Sequence, residues 1–152
     1  MKGKLKINRY HNLDEKGRLA LPAPVREVFS KNLVVALTFD GSLRLFENED
    51  HDKWVEGIFE KRGGYDENNP LHRRLENILY RHCAQVDVDS AGRILIPQEL
   101  RTLAKFKKEI LISGKGSTVD LWAAEEWERY CNDETFAPCE VFSLFFKEND
   151  AN

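Results

Sequence analysis

The chain has 152 residues, 41% hydrophobic and 32% charged, with 23 Lys and Arg against 26 Asp and Glu for a net charge of −3. That composition excludes a fibrous or disordered chain, and the length fits one domain or two small fused units. No apolar run approaches the roughly 18 residues of a membrane span, and no apolar core follows the Lys-rich start, so the expectation is a cytoplasmic protein.

Three cysteines, Cys83, Cys131 and Cys139, lack Cys-x-x-Cys spacing and read as free thiols rather than a disulfide framework or zinc knuckle. The negative total also counts against nucleic acid, whose partners tend to carry a basic footprint. Its distribution weakens that objection, although charge alone reads equally as an ordinary solvated basic end. Residues 1–31 hold eight basic and three acidic side chains, whereas residues 125–152 hold two basic and eight acidic ones. A basic end containing Lys2, Lys4, Lys6 and Arg9 can steer toward polyanions while an acidic tail keeps the rest dissolved.

In chain order, residues 10–13 read as a short strand entering the turn Asp14-Glu-Lys-Gly17-Arg18. There the Asp can bond nearby backbone N–H groups and the Gly can take positive φ. A second strand ends at Pro22, placed as the first residue of a helix. Val25, Val28 and Phe29, at i, i+3 and i+4, predict one or two helical turns. Leu33-Val-Val-Ala-Leu-Thr, a turn at Asp40-Gly41 and Leu43-Arg-Leu-Phe46 then predict a hairpin. A helix follows over residues 49–61, anchored by Trp54, Ile58 and Phe59. Gly63-Gly64 breaks the chain, and Asn69-Pro70 starts another helix. Leu71, Leu75, Ile78 and Leu79 line one of its faces; Arg73, Arg74 and Arg81 lie toward the other.

The pattern then returns. Asp14-Glu-Lys-Gly17-Arg18-Leu-Ala-Leu-Pro22 with Arg26 recurs 75 residues later as Asp89-Ser-Ala-Gly92-Arg93-Ile-Leu-Ile-Pro97 with Arg101. Seven of 29 aligned pairs are identical, concentrated at Asp, Gly, Arg and Pro, so one ancestral unit occurs twice. The second copy reads as a strand over 85–88, a helical turn with Leu100, Leu103 and Ala104, and the run Ile110-Leu-Ile-Ser. A turn at Gly114-Lys-Gly116, the strand Val119-Asp-Leu-Trp122 and a helix over 124–130 with Trp127 complete it. Each unit is β-β-α-β-β. Four short strands cannot bury both faces alone, so two units, interleaved or packed as twins, are expected to close a small barrel. The expected organisation is unit 1 over 8–53, a helical connector over 54–82, unit 2 over 83–126, and a C-terminal helix and acidic tail over 127–152.

Each Asp-x-x-Gly-Arg turn has two readings. It can be a tight turn whose Arg merely pairs with its Asp. Alternatively it presents a guanidinium at the rim of a rigid sheet, and Arg is the side chain best suited to bidentate contact with phosphate or guanine. Lys16 beside Arg18, against Ala91 beside Arg93, makes the first copy the stronger anion binder. No enzyme is expected. His11, His51, His72 and His82 are scattered, and no Ser elbow, phosphate loop or metal-spaced cluster occurs. Adjacency does not aim His82 and Cys83 at one another, because neighbours on a strand point to opposite faces. Catalytic residues, metal, cofactor and small-molecule substrate are therefore all assigned as none.

The paired motifs Asp14…Arg18 and Asp89…Arg93 resemble those of the MraZ family of bacterial transcriptional regulators, built from two SpoVT/AbrB-like units. The resemblance extends to Asn69-Pro70-Leu-His-Arg73-Arg74 and to Leu121-Trp122…Glu126-Trp127, covering about residues 8–130. It implies a mainly β fold with short helices (α+β), in which tandem AbrB-like units form a double-split, swapped-hairpin β-barrel. It also implies ring-shaped homo-oligomers that bind short direct repeats in double-stranded promoter DNA. Such proteins would sit on the nucleoid and repress the division and cell-wall gene cluster.

The family's DNA-contacting arginine falls on Arg18, with Arg93 as its counterpart in the second unit. The candidate DNA-binding set is Arg18, Lys16 and Arg93, with Lys4, Lys6 and Arg9 from an N-terminus longer and more Lys-rich than the family's usual opening. Asp14, Gly17, Asp89 and Gly92 are the structural residues of the turns. Cyclic symmetry matches direct repeats, and several engaged loops add avidity. The alternative is a ring-forming protein-interaction module that regulates a partner enzyme without binding DNA, using the acidic tail and Arg73, Arg74 and Arg81. Val141-Phe-Ser-Leu-Phe-Phe146 has no family counterpart; its aromatics are expected to pack on the fold or on a neighbouring subunit.

Overall fold

The computed structural model describes residues 4–133 and 137–150. The first repeat supplies β1 (Leu5–Asn12), β2 (Arg18–Ala20), α1 (Ala23–Val28), β3 (Asn32–Leu37) and β4 (Leu43–Glu47). Helices α2 (Asn48–Glu60) and α3 (Pro70–Arg81) follow. The second repeat supplies β5 (Cys83–Asp87), β6 (Arg93–Leu95), α4 (Gln98–Leu103), β7 (Glu109–Gly116) and β8 (Thr118–Ala123), before α5 (Ala124–Asn132) and α6 (Pro138–Asp150). Both units are thus β-β-α-β-β, and the protein is mainly antiparallel sheet with short helices.

The repeats interleave. Strand β1 pairs with β7 of the other unit, from Leu5 opposite Gly116 to Asn12 opposite Glu109. Reciprocally, β5 pairs with β3, from Asn32 opposite Asp87 to Ala36 opposite Cys83. The two β3–β4 and β7–β8 hairpins join through β4 and β8, giving the order β1-β7-β8-β4-β3-β5. Strands β2 and β6 form a separate ladder with Leu19 opposite Ile94. Among the described residues no closed barrel is seen: β1 and β5 are the edges of an open six-stranded sheet.

Period-two alternation explains the core. Leu33, Val35, Leu43, Leu45, Ile110 and Ile112 line one sheet face and meet Leu19 and Ile94 of the ladder, with Val25 and Leu100 from α1 and α4. Each fully buried aliphatic side chain contributes about 1.5–3 kcal/mol. The opposite face carries Val34, Ala36 and Phe46 under Trp54 of α2, and α3 packs on α2 through Val55, Phe59 and Leu79. Helix α3 starts where expected, because Asn69 Oδ1 accepts from the Leu71 and His72 N–H groups at 2.9 and 3.4 Å.

Four expectations change. Pro22 and Pro97 are caps with extended ψ, and the helices begin one residue later, at Ala23 and Gln98. Strand β1 starts at Leu5 rather than residue 10, since the buried Leu5 and Ile7 continue the alternation between exposed Lys4 and Lys6. Gly114 stays within β7, because β1 passes so near that a Cβ there would lie 3.0 Å from Leu5 Cβ; the hairpin instead turns at Gly116-Ser117. The tail carries a second helix, α6; its Phe142, Phe145 and Phe146 are exposed, so of the two placements expected for them, on the fold or on a neighbouring subunit, the first is removed. No described helix is long and apolar enough to cross a membrane.

Candidate nucleic-acid interface

Both turns close through their aspartates. Asp14 Oδ1 accepts from the backbone N–H of Lys16 (2.9 Å) and Arg18 (2.8 Å), and its Oδ2 accepts from Arg18 Nε at 2.6 Å. Asp89 repeats this with Ala91 N–H and Arg93 N–H, both at 2.9 Å, and Arg93 Nε at 3.1 Å. Gly17 and Gly92 supply the left-handed residue each turn needs, at φ +86° and +77°. The Arg18 N–H, followed by its guanidinium and the Lys16 N–H, outweighs desolvation and holds the Asp14 carboxyl at about 2. The Arg93 N–H likewise leads the forces that keep Asp89 below the ordinary carboxylate range. The simple turn reading is therefore correct as far as it goes.

The ladder adds what one turn lacks. Leu19 and Ile94 point into the core, so alternation sends Arg18, Ala20, Arg93 and Leu95 to the other face. Arg18 lies opposite Leu95 and Arg93 opposite Ala20, an approximate two-fold about the Leu19–Ile94 pair. Cross-repeat bonds keep that symmetry: Leu21 N–H donates to the Gly92 carbonyl (2.9 Å) and Ile96 N–H to the Gly17 carbonyl (3.0 Å). Arg26 Nε donates to its own Leu21 carbonyl (3.1 Å) and Arg101 Nε to Ile96 (2.8 Å).

The two arginines are not equivalent. The described bonds of Arg18 use Nε and the backbone, leaving its Nη edge clear, whereas Arg93 Nη1 leans to within 3.8 Å of Asp14 Oδ2. Exposed Lys16 flanks the first turn alone.

Alternation along β1 divides the N-terminal cations. Arg9 is opposite Ile112 and shares the ladder-facing side with His11, whose Nδ1 lies 2.7 Å from the Ala20 carbonyl. Lys6, opposite Lys115, and Lys4 two residues earlier belong to the other face. The structure therefore brings Arg18 and Arg93 together at Asp14, with Lys16 in the first turn beside them, while Arg9 lies on the core-facing side of β1 with Leu5 and Ile7 and alternation puts Lys4 and Lys6 on its other side; Lys2 lies outside the described residues. Sequence reasoning missed Leu95, which is 53% exposed beside Arg18, and the His11 contact. The alternation in Arg18-Leu-Ala and Arg93-Ile-Leu was the available signal for Leu95.

Other flagged residues fall elsewhere. His82 ends α3 while Cys83 opens β5 and donates to the Tyr80 carbonyl at 3.2 Å; burial, then Asp52, pushes the thiol up, away from nucleophilic chemistry. Arg73 Nη1 donates to the Glu67 carbonyl (2.8 Å), and Arg81 sits 3.8 Å from Glu99. Among the described residues no group of three His, Cys, Asp or Glu is placed to hold a metal ion.

The model of the family described as "MraZ protein, putative antitoxin-like" matches residues 8–62 and 79–139, which takes in both repeats and leaves most of α6 outside. A protein of Mycoplasmoides gallisepticum named Transcriptional regulator MraZ is 30% identical over 129 residues, covering 85% of this chain and 87% of its own. A protein of the same name from Carboxydothermus hydrogenoformans is 34% identical over 122 residues, covering 80% and 82%. One from Neisseria meningitidis is 31% identical over 121 residues, covering 77% and 78%. With both turn-bearing repeats matched and about four-fifths of its length shared with such relatives, the chain belongs to the MraZ family.

Proposed function

We propose that this chain is a sequence-specific DNA-binding transcriptional regulator, a repressor that reads short direct repeats in the promoter of the division and cell-wall gene cluster. In this reading it works in the cytoplasm on nucleoid DNA as a ring of identical subunits. The observation that carries the reading is the outer face of the β2–β6 ladder, where Arg18 and Arg93 meet at Asp14 Oδ2 on a two-stranded support, with Lys16 in the adjoining turn. The relatives' name supports the regulatory part.

The same face argues for assembly. Asp14 and Asp89 offset much of the arginine charge, so one subunit neutralises few phosphates and binds weakly. Engaging successive operator repeats with several subunits gains about 10²–10⁴ through effective concentration. We further propose that the β2–β6 ladder closes the open sheet into a double-split barrel built from the units 8–53 and 83–126, flanked by the connector 54–82 and the tail 127–152.

A gel-shift titration on promoter DNA tests the function. Arg18→Ala is expected to weaken binding by roughly 5- to 150-fold per site, from the roughly 1–3 kcal/mol of a good base contact, and Arg93→Ala less. Equal affinity of Arg18→Ala and the parent protein would sink the reading.

A further inference from the structure

We propose that α6 of one copy docks in a groove between α2 and α3 of a neighbouring copy, so that the C-terminal helix is the link that joins subunits head to tail. The inference rests on the ring assembly proposed above.

The helix is apolar on one side. Val141 and Phe145, and Phe142 and Phe146, are i, i+4 pairs that share a broad stripe, while Glu140, Ser143 and Lys147 lie behind it. These aromatics are about three-fifths exposed, at 63% for Phe142, 57% for Phe145 and 58% for Phe146. A contiguous stripe of this kind marks an interaction surface.

The groove is the matching concavity. It has a volume of about 760 Å³ and is floored by Trp54, Ile58, Phe59 and Leu75, with Phe39 and Leu71 at its lips. Those two lip residues are 70% and 71% exposed. Lys61 and Arg62 also line it, opposite in sign to the Glu140 and Glu148 that the helix carries against one Lys. An amphipathic helix laid into an apolar groove is a recurrent recognition mode anchored by residues at this spacing.

The occupant is a second copy because a single chain leaves both surfaces uncovered at once. With Leu144, which is 60% exposed on the flank of the stripe, five side chains each hiding on the order of 100 Å², and an equal area of groove, give about 1,000 Å² per junction, the threshold of a specific contact. Helix and groove are different surfaces, so the junction is heterologous: each copy gives a helix forward and accepts one from behind, and such contacts make a ring when the rotation between copies closes.

Sedimentation of the full-length chain tests this, with far-UV circular dichroism to verify folding. Phe142→Asp/Phe145→Asp alters the helix, and Leu71→Glu alters the already exposed lip of the groove. Each variant is expected to lose the wild-type mass and sediment as a monomer. An equimolar mixture of the two keeps one intact helix and one intact groove and is expected to form a two-subunit species. If the wild type assembles and both folded variants keep its mass, this proposal is overturned while ring assembly stands. A monomeric wild type, as expected if α6 closes on its own groove or serves a foreign partner, overturns both.

Discussion

Arg101 of the second repeat lies over Gly17 of the first: a Cβ added to Gly17 would fall 2.5 Å from Arg101 Cζ. The relation is reciprocal, with Arg26 Cδ 2.9 Å from the Cβ position of Gly92. Each turn glycine therefore meets two demands, a left-handed φ and room for an arginine from the opposite unit.

Gly17→Ala is accordingly expected to cost about 1–3 kcal/mol, the range for a side chain forced into a left-handed conformation, and to displace Arg101 from the Ile96 carbonyl. Adding Arg101→Ala should make the pair less destabilising than the sum of the two changes. Urea midpoints for the four members of the cycle decide it, and strict additivity would remove the proposed contact.

Salt dependence separates the lysine of the Asp14 turn from those on the far side of β1. Lys16→Ala is expected to reduce the slope of log affinity against log salt by about 1, whereas Lys6→Ala should leave it nearly unchanged. Equal slopes for the two variants in filter-binding titrations would count against the face assigned to the DNA.

Stability should fall in two acid windows. His51 is 3% exposed among Phe46, Trp54 and Tyr80, and its Nε2 lacks a hydrogen-bond partner. Burial pushes this imidazole below its usual 6.5, against a smaller opposite pull from Asp52. The unfolded chain then binds the proton more readily than the folded one, so stability drops as pH falls below about 6.5 and is unaffected above it. Asp14 has the same sign lower down: with its carboxyl at about 2 against an ordinary 3.8, its contribution is complete above the ordinary value and lost as pH falls toward 2. His51→Phe should flatten the upper window alone. An unchanged slope between pH 7 and 5 in that variant would be evidence against the buried imidazole as its source, because about two pH units bracket its titration.

Asp120 is 1% exposed and joins Arg44 (2.7 Å) and Lys115 (2.9 Å) across β4, β8 and β7. Asp120→Ala is expected to cost about 2–3 kcal/mol in thermal or urea unfolding, below the ~3–5 kcal/mol of a fully buried pair, because both cations can turn to water. A loss under about 0.5 kcal/mol would assign the cluster no more than the worth of a surface pair.

Much of this was legible beforehand because local chemistry dictates it. The Asp14 and Asp89 turns, the glycine conformations and the cap at Asn69 follow from backbone groups that need partners within a few residues. The duplication announced two similar units. Which strand pairs with which was not legible, since Leu5 and Ile7 show the same alternation whether they face β7 or another strand. The site was legible as residue types and less so as a surface. Lys4, Lys6 and Arg9 form one basic run in sequence; strand alternation splits Arg9 from the lysines, and only the packing of β1 against β7 says which of them faces the core. The sequence left open whether the α6 aromatics pack on the chain's own fold or on a neighbouring subunit, because an apolar stripe reads alike in either case; their exposure here removes the first alternative.

The interleaving of β1 with β7 also imposes an order in time. Leu5 cannot find Gly116 until more than a hundred further residues have been made, which at about 5–20 residues per second is a wait of roughly 5–20 s on the ribosome. Through that interval the first strand has no ladder to join, and the sheet's longest-range contacts form last. The lysines that alternate with Leu5 and Ile7 are then gatekeepers, keeping an unpaired nascent strand dissolved until its partner emerges.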